Sequence, residues 1–137
     1  MTSANWDAIK YFSIDENWGD PYMMNSELMF ALEALRGFVS KPIMIHCGYE
    51  ERPKKTSQHN FGRAVDLHIF GLSLWDQFNV AQRFRSFRGI GVYPWWNNPG
   101  LHLDTRPLGK YEPIATWGST APNRYVKITK QFMFGKI

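Results

Sequence analysis

The strongest pattern in the chain is a strict alternation from Ala64 to Phe70, with Val65, Leu67 and Ile69 on one side and Asp66 and His68 on the other. A period of two puts successive side chains on opposite faces of a strand, so this segment predicts a half-buried strand. Leu101 to Arg106 repeats the pattern and sets His102, Asp104 and Arg106 on one face. Pro42 to Cys47 reads as a more buried strand ending at Gly48, and Gly89 to Tyr93 as a short strand before a turn over Pro94 to Gly100. Helical spacing occurs twice. Leu28, Ala31, Leu32, Leu35 and Val39 recur at i, i+3, i+4 and i+7 after a cap at Asn25 or Ser26, with Glu27 in the first turn where the macrodipole favours an anion. Leu74, Phe78, Ala81 and Phe84 mark a second amphipathic helix over 74–87. Residues 1–24 and 49–63 carry no period and read as irregular, and the tail has strand character around Tyr125 to Ile128. The order predicts an α+β fold: a single domain over 1–137 with a mostly antiparallel sheet flanked by two amphipathic helices.

Parity carries the first functional reading. If the strands share one sheet and their apolar alternants face the helices, then His46, Asp66, His68, His102 and Asp104 face the opposite side and line one cleft on the open sheet face. Cys47 falls on the apolar face with Ile43 and Ile45 and reads as an inert buried thiol. As the single cysteine, it excludes an internal disulfide framework and a multi-cysteine zinc site. Any metal must then be held by the four histidines and the carboxylates, a donor set that suits a hydrolytic zinc site with one position left for water.

Net charge is +4, from 16 basic against 12 acidic residues, which favours an anionic partner or plain solubility. Nucleic acid has the charge and the 16% aromatic content in its favour but no recognised binding motif, so no nucleic-acid partner is expected. No stretch reaches the length of a membrane span, and Met1 to Asp7 has neither a basic nor an apolar signal region, so the expectation is a chain made in the cytoplasm with no membrane partner. Trp6, Trp18 and the Phe-rich tail at 132–134 are read as a candidate interface.

Local motifs sharpen the metal reading. Ser57-Gln-His59-Asn-Phe-Gly62-Arg-Ala64-Val-Asp66 fits S-x-H-x-x-G-x-A-x-D at every fixed position. The spacing has a physical rationale: His59 leaves the loop, Gly62 permits a tight turn, Ala64 avoids crowding the metal and Asp66 points back from its strand. The segment resembles the first zinc motif of the D-Ala-D-Ala carboxypeptidase family, whose LAS-type members cut peptidoglycan peptides. Gly89-Ile-Gly-Val-Tyr93-Pro94 followed by Gly100-Leu-His102-Leu-Asp104-Thr-Arg106 is similar to the second motif of that family's small phage and bacterial branch. Tyr11 to Glu16, Leu35-Arg36, Lys41 to Ile45 and Gly48-Tyr49 resemble its N-terminal half, so the likeness spans about 11–117, with 1–10 and 118–137 as extensions.

The resemblance implies one Zn²⁺ per chain, held by His59, Asp66 and His102, and hydrolysis of peptidoglycan stem or cross-link peptides. It also implies a phage lysin or virion-associated lytic protein, reaching the cell wall by phage release or within a virion, with virion proteins as candidate partners. Two positions depart from the family pattern: Glu50 stands where relatives carry an Arg after Gly-Tyr, and Pro99 where many carry a catalytic Glu. Arg52 and Arg63 are the candidate replacements for the Arg. Asp104 is the candidate general base, with the alternative that it orients His102 or pairs with Arg106. His46, Ser57, Trp95 and Trp96 are candidate substrate contacts, and His68 reads as a surface or supporting histidine. The alternative to an enzyme is a non-catalytic phage structural or wall-binding protein of the same fold, with or without the zinc.

Overall fold

The computed structural model describes residues 1–135. Its strands are β1 (Ile43–Cys47), β2 (Ala64–Ile69), β3 (Gly89–Tyr93), β4 (Gly100–Asp104), β5 (Ala115–Ala121) and β6 (Arg124–Val126). They form one sheet in the order β1-β2-β4-β3-β5-β6, antiparallel at every neighbouring pair except β3 and β5. Helices α1 (Ser3–Asp7), α2 (Ser26–Val39), α3 (Leu74–Ala81) and α4 (Lys130–Phe134) accompany the sheet, giving the expected single α+β domain.

The two amphipathic patterns explain how the layers meet. Val65, Leu67 and Ile69 of β2, with Ile43 and Ile45 of β1, bury against Leu28, Leu32 and Leu35 of α2 and Phe78 and Ala81 of α3. Asn25 caps α2 by accepting a hydrogen bond from the Leu28 amide at 3.0 Å, and Ser40 ends it in the left-handed conformation at φ 53°. The opposite sheet face is left to the polar alternants.

Several boundaries differ from expectation. Helix α3 stops at Ala81 rather than at residue 87, because the chain tightens into i→i+3 turns: Arg83 donates to Val80 at 3.1 Å and Phe84 to Ala81 at 3.2 Å. Phe84 and Phe87 still reach the core from these turns. Trp6 and Trp18 are core residues, 7% and 0% exposed, and not an interface; Phe12 meets the Trp18 ring edge-on at 5.7 Å. The tail is divided, with Phe132 packed against the core and Phe134 exposed. Both terminal extensions join the same domain, the first through Trp6 and Ile9 and the second through β5 and β6. No helix among the described residues is long and apolar enough to cross a membrane.

Candidate metal centre

Strand register builds the site. Cys47, Asp66, His102, Gly91 and Trp117 are successive cross-strand partners on β1, β2, β4, β3 and β5, a single row across the polar face. Cys47 belongs to this row because β1 carries a bulge: Ile45 pairs with Leu67, yet Cys47 pairs with Asp66, so His46 is one residue extra. A bulge reverses the facing of the residues after it. The thiol therefore lies on the site face, half-buried, and not among the apolar residues as simple alternation required.

Two imidazoles converge on one carboxylate oxygen. Asp66 Oδ1 lies 3.3 Å from His59 Nε2 and 3.2 Å from His102 Nδ1. Each imidazole is anchored through its other nitrogen. His59 Nδ1 sits 2.7 Å from the Gly48 carbonyl and must donate to it, which leaves Nε2 with a free lone pair. That Nε2 is buried without a hydrogen-bond partner among the described residues. A buried imidazole nitrogen of this kind, aimed at a carboxylate, suits a metal ligand, since a neutral ring nitrogen is the form that binds. In addition, one ligand atom from each of Cys47, His59 and Asp66 lies within 4.8 Å of the other two, so these residues form a candidate metal site. The donor set fits a zinc ion.

His59 reaches this position from a short 3-10 turn, Gln58–Phe61, that ends at Gly62 with φ 67°. A side chain at Gly62 would be strained there and would also collide with the Met23 carbonyl. The Gly48 carbonyl that fixes the ring is itself held by the N-terminal segment, where Tyr49 donates to the Trp18 carbonyl at 2.7 Å. A buried aromatic at the start of the chain thus supports a ligand near its middle.

Asp104 stands behind His102, with Oδ2 2.7 Å from Nε2. Arg106 donates to both carboxylate oxygens, at 2.8 Å through Nε and 2.7 Å through Nη2. The residue is fully buried, with both oxygens engaged. This is the geometry of an orienting residue, the alternative expected for Asp104 beside the role of general base: its carboxylate holds the Nε2 proton of His102 and turns Nδ1 towards Asp66. The G-x-G sequence on β3 provides the space. Gly89 pairs with Asp104, and a Cβ there would fall on its carboxylate; a Cβ at Gly91 would meet the Trp117 indole at 2.6 Å, which packs against His102. Gly89→Ala is therefore expected to lower stability by about 1–3 kcal/mol, the usual cost of overpacking, and urea unfolding of the two proteins measures it.

The electrostatics of the site arise from this packing. Burial opposes a charge on His102, but hydrogen bonds to Asp104 and Asp66 outweigh it and raise its pKa to about 9. Burial also opposes ionisation of Asp66 and Asp104; for Asp66 the hydrogen bond from His102 leads in overcoming it, and for Asp104 Arg106 and His102 do, so both lie well below the usual carboxylate range. The raised histidine pKa contributes stability that is complete below about pH 6.5 and lost as pH rises through about 9. The depressed carboxylate pKa values contribute stability present above about pH 3.9 and lost as pH falls further. Chelator-treated protein should therefore be most stable between about pH 4 and 6.5. Urea midpoints across acid and alkaline buffers check this, and a flat alkaline limb would contradict it.

The remaining candidates divide. Arg52 Nη2 lies 3.8 Å from Asp66 Oδ2 and 3.1 Å from Glu50 Oε2, so it brings a positive charge to the cluster. Arg63 does not: its guanidinium lies over the Phe61 ring at 4.6 Å, and its buried Nε has no hydrogen-bond partner among the described residues. Glu50, at the departing position, accepts hydrogen bonds from Cys47 Sγ at 3.0 Å and from Arg52. Burial first, and then the hydrogen bond to Glu50, push the Cys47 thiol up to about 12.

A cleft of about 320 Å³ opens beside Asp66, lined by His46, Trp95, Trp96, Asn97 and Asn98. Three of the four expected substrate contacts thus share one wall. Trp96 stacks on Tyr93 at 4.2 Å, and Trp95 donates to Ser119 at 2.8 Å while its ring stays 43% exposed. Ser57 starts the 3-10 turn without a side-chain capping bond. His68 stacks on His46, with Nδ1 2.6 Å from His46 Nε2. A larger surface hollow of about 520 Å³, between Phe38, Leu72, Val80 and Arg83, shares no residue with this cluster. Trp117 and Cys47 are the site residues that sequence reasoning missed; Gly91 was the available signal for Trp117, since a glycine facing a ligand row leaves room for a bulky neighbour.

No family model matches the chain, and no curated protein matches it either.

Proposed function

We propose that the protein is a zinc-dependent peptidase that hydrolyses bonds in peptidoglycan stem or cross-link peptides, as a lytic protein of a bacteriophage, free or virion-borne. The observation that carries this reading is the convergence of His59 Nε2 and His102 Nδ1 on Asp66 Oδ1, each ring fixed through its far nitrogen. It joins the two motifs in the order and spacing the resemblance implies. A zinc ion supplies Lewis-acid chemistry, activating water and polarising a carbonyl at neutral pH.

The chain's own residues do the rest. Asp104 and the Gly48 carbonyl hold the two ligand rings in the required tautomers. Arg52 offers its guanidinium to a substrate carboxylate or carbonyl oxygen beside Asp66. With Asp104 engaged by His102 and Arg106, the half-exposed Glu50 is the carboxylate beside this cluster that can take and return a proton. Trp95, Trp96 and His46 form the wall against which a peptide, or the sugar it is attached to, would lie.

A second reading, a non-catalytic protein that keeps the ion as a staple, is favoured by the thiol within ligand reach of the same residues. Digestion of purified muropeptides separates the two. The peptidase reading expects new products that vanish with chelator and return with zinc. Unchanged muropeptides from protein carrying one zinc per chain would overturn it.

A further inference from the structure

The bulge in β1 has a chemical consequence. It delivers Cys47 to the polar face directly opposite Asp66, where ordinary alternation would have buried the thiol with Ile43 and Ile45. The thiol is then close enough to share an ion with His59 and Asp66. An independent sign of a ligand at the same spot is His59 Nε2, on a residue 1% exposed, directed at Asp66 Oδ1 and lacking any hydrogen-bond partner among the described residues.

We propose that Cys47 is itself a ligand of the ion, sharing it with His59 and Asp66, whose donor atoms lie within 4.8 Å of its sulfur and of each other. Sulfur is a strong zinc donor. The proton that a coordinated thiol sheds has an acceptor in Glu50 Oε2, 3.0 Å from Sγ. The proposal rests on the metal-centre part of the reading above and not on its peptidase part.

Cobalt substitution of the full chain tests it without reference to activity. Chelator-treated protein is loaded with Co²⁺, bound cobalt is counted, and the absorption spectrum is compared with that of Cys47→Ser. The expected result is one cobalt per chain with an intense thiolate-to-cobalt charge-transfer band in the near ultraviolet, lost in Cys47→Ser. One bound cobalt with no such band in the unmodified chain overturns the ligand assignment and leaves the metal centre standing. No bound cobalt overturns both. Should Cys47→Ser fail to fold, the unmodified protein decides: its thiol should react severalfold more slowly with an aromatic disulfide once cobalt is bound, and equal rates would refute ligation.

Discussion

Asp104→Asn is expected to unfold at a markedly lower urea concentration and to bind zinc about ten- to a hundredfold more weakly. The carboxylate is fully buried, and its two oxygens meet His102 Nε2 and the Arg106 guanidinium at 2.7–2.8 Å. Removing the charge leaves Arg106 facing a neutral amide, and breaking a buried pair in this way costs about 3–5 kcal/mol. The partly exposed Arg106 side chain can turn to water, so the lower end of that range applies. The asparagine amide can also present its NH₂ group to His102, which would reward the wrong tautomer and turn the lone pair away from Asp66. Arg106→Gln is the comparison: it should lose stability while keeping more of the zinc affinity, because the carboxylate stays on His102. Equal zinc affinity in Asp104→Asn and the unmodified protein would show that Asp104 does not orient the ligand.

His59→Ala has the second large effect. Structural zinc sites bind with apparent free energies of roughly 10–16 kcal/mol, so one ligand of three or four corresponds to a loss of roughly a hundredfold to a thousandfold or more in affinity. Hydrolysis of muropeptides should fall to the level of the chelated protein. His68→Ala is the control, since His68 lies against His46 and outside the converging groups. Zinc affinity unchanged in His59→Ala, or lost equally in His68→Ala, would contradict the ligand set.

Much of the site was legible in the sequence because its parts are local. His59, Gly62, Ala64 and Asp66 occupy one turn and one strand, so spacing alone puts the histidine and the carboxylate within reach of each other. Alternation in 64–70 and 101–106 placed Asp66, His102 and Asp104 on one face, and the register agrees by pairing Asp66 with His102. Parity could not show which nitrogen of His102 each carboxylate meets, and this decides between a base and an orienting residue. Cys47 was misplaced for a different reason: a period of two survives only while no residue is inserted, and one extra residue at His46 reverses the facing of the next. Strand β5 escaped notice because Ala-Thr-Trp-Gly-Ser-Thr-Ala carries little apolar alternation, its contribution being Trp117 beside His102. The N-terminal tryptophans lie on an irregular segment, so no period marked them as core; Trp18 meets Gly48 and Tyr49 through its backbone, and Trp6 packs on the Trp18 ring at 5.5 Å.

Zinc titration of chelator-treated protein near neutral pH, followed by calorimetry in buffers of different ionisation heat, tests the centre most directly. One zinc per chain should bind with release of protons, since the raised pKa of His102 keeps that ring charged until the metal displaces its proton. Affinity should rise with pH as protons leave the ligands. No bound zinc, or binding with no proton released, would contradict a centre built on His59, Asp66 and His102.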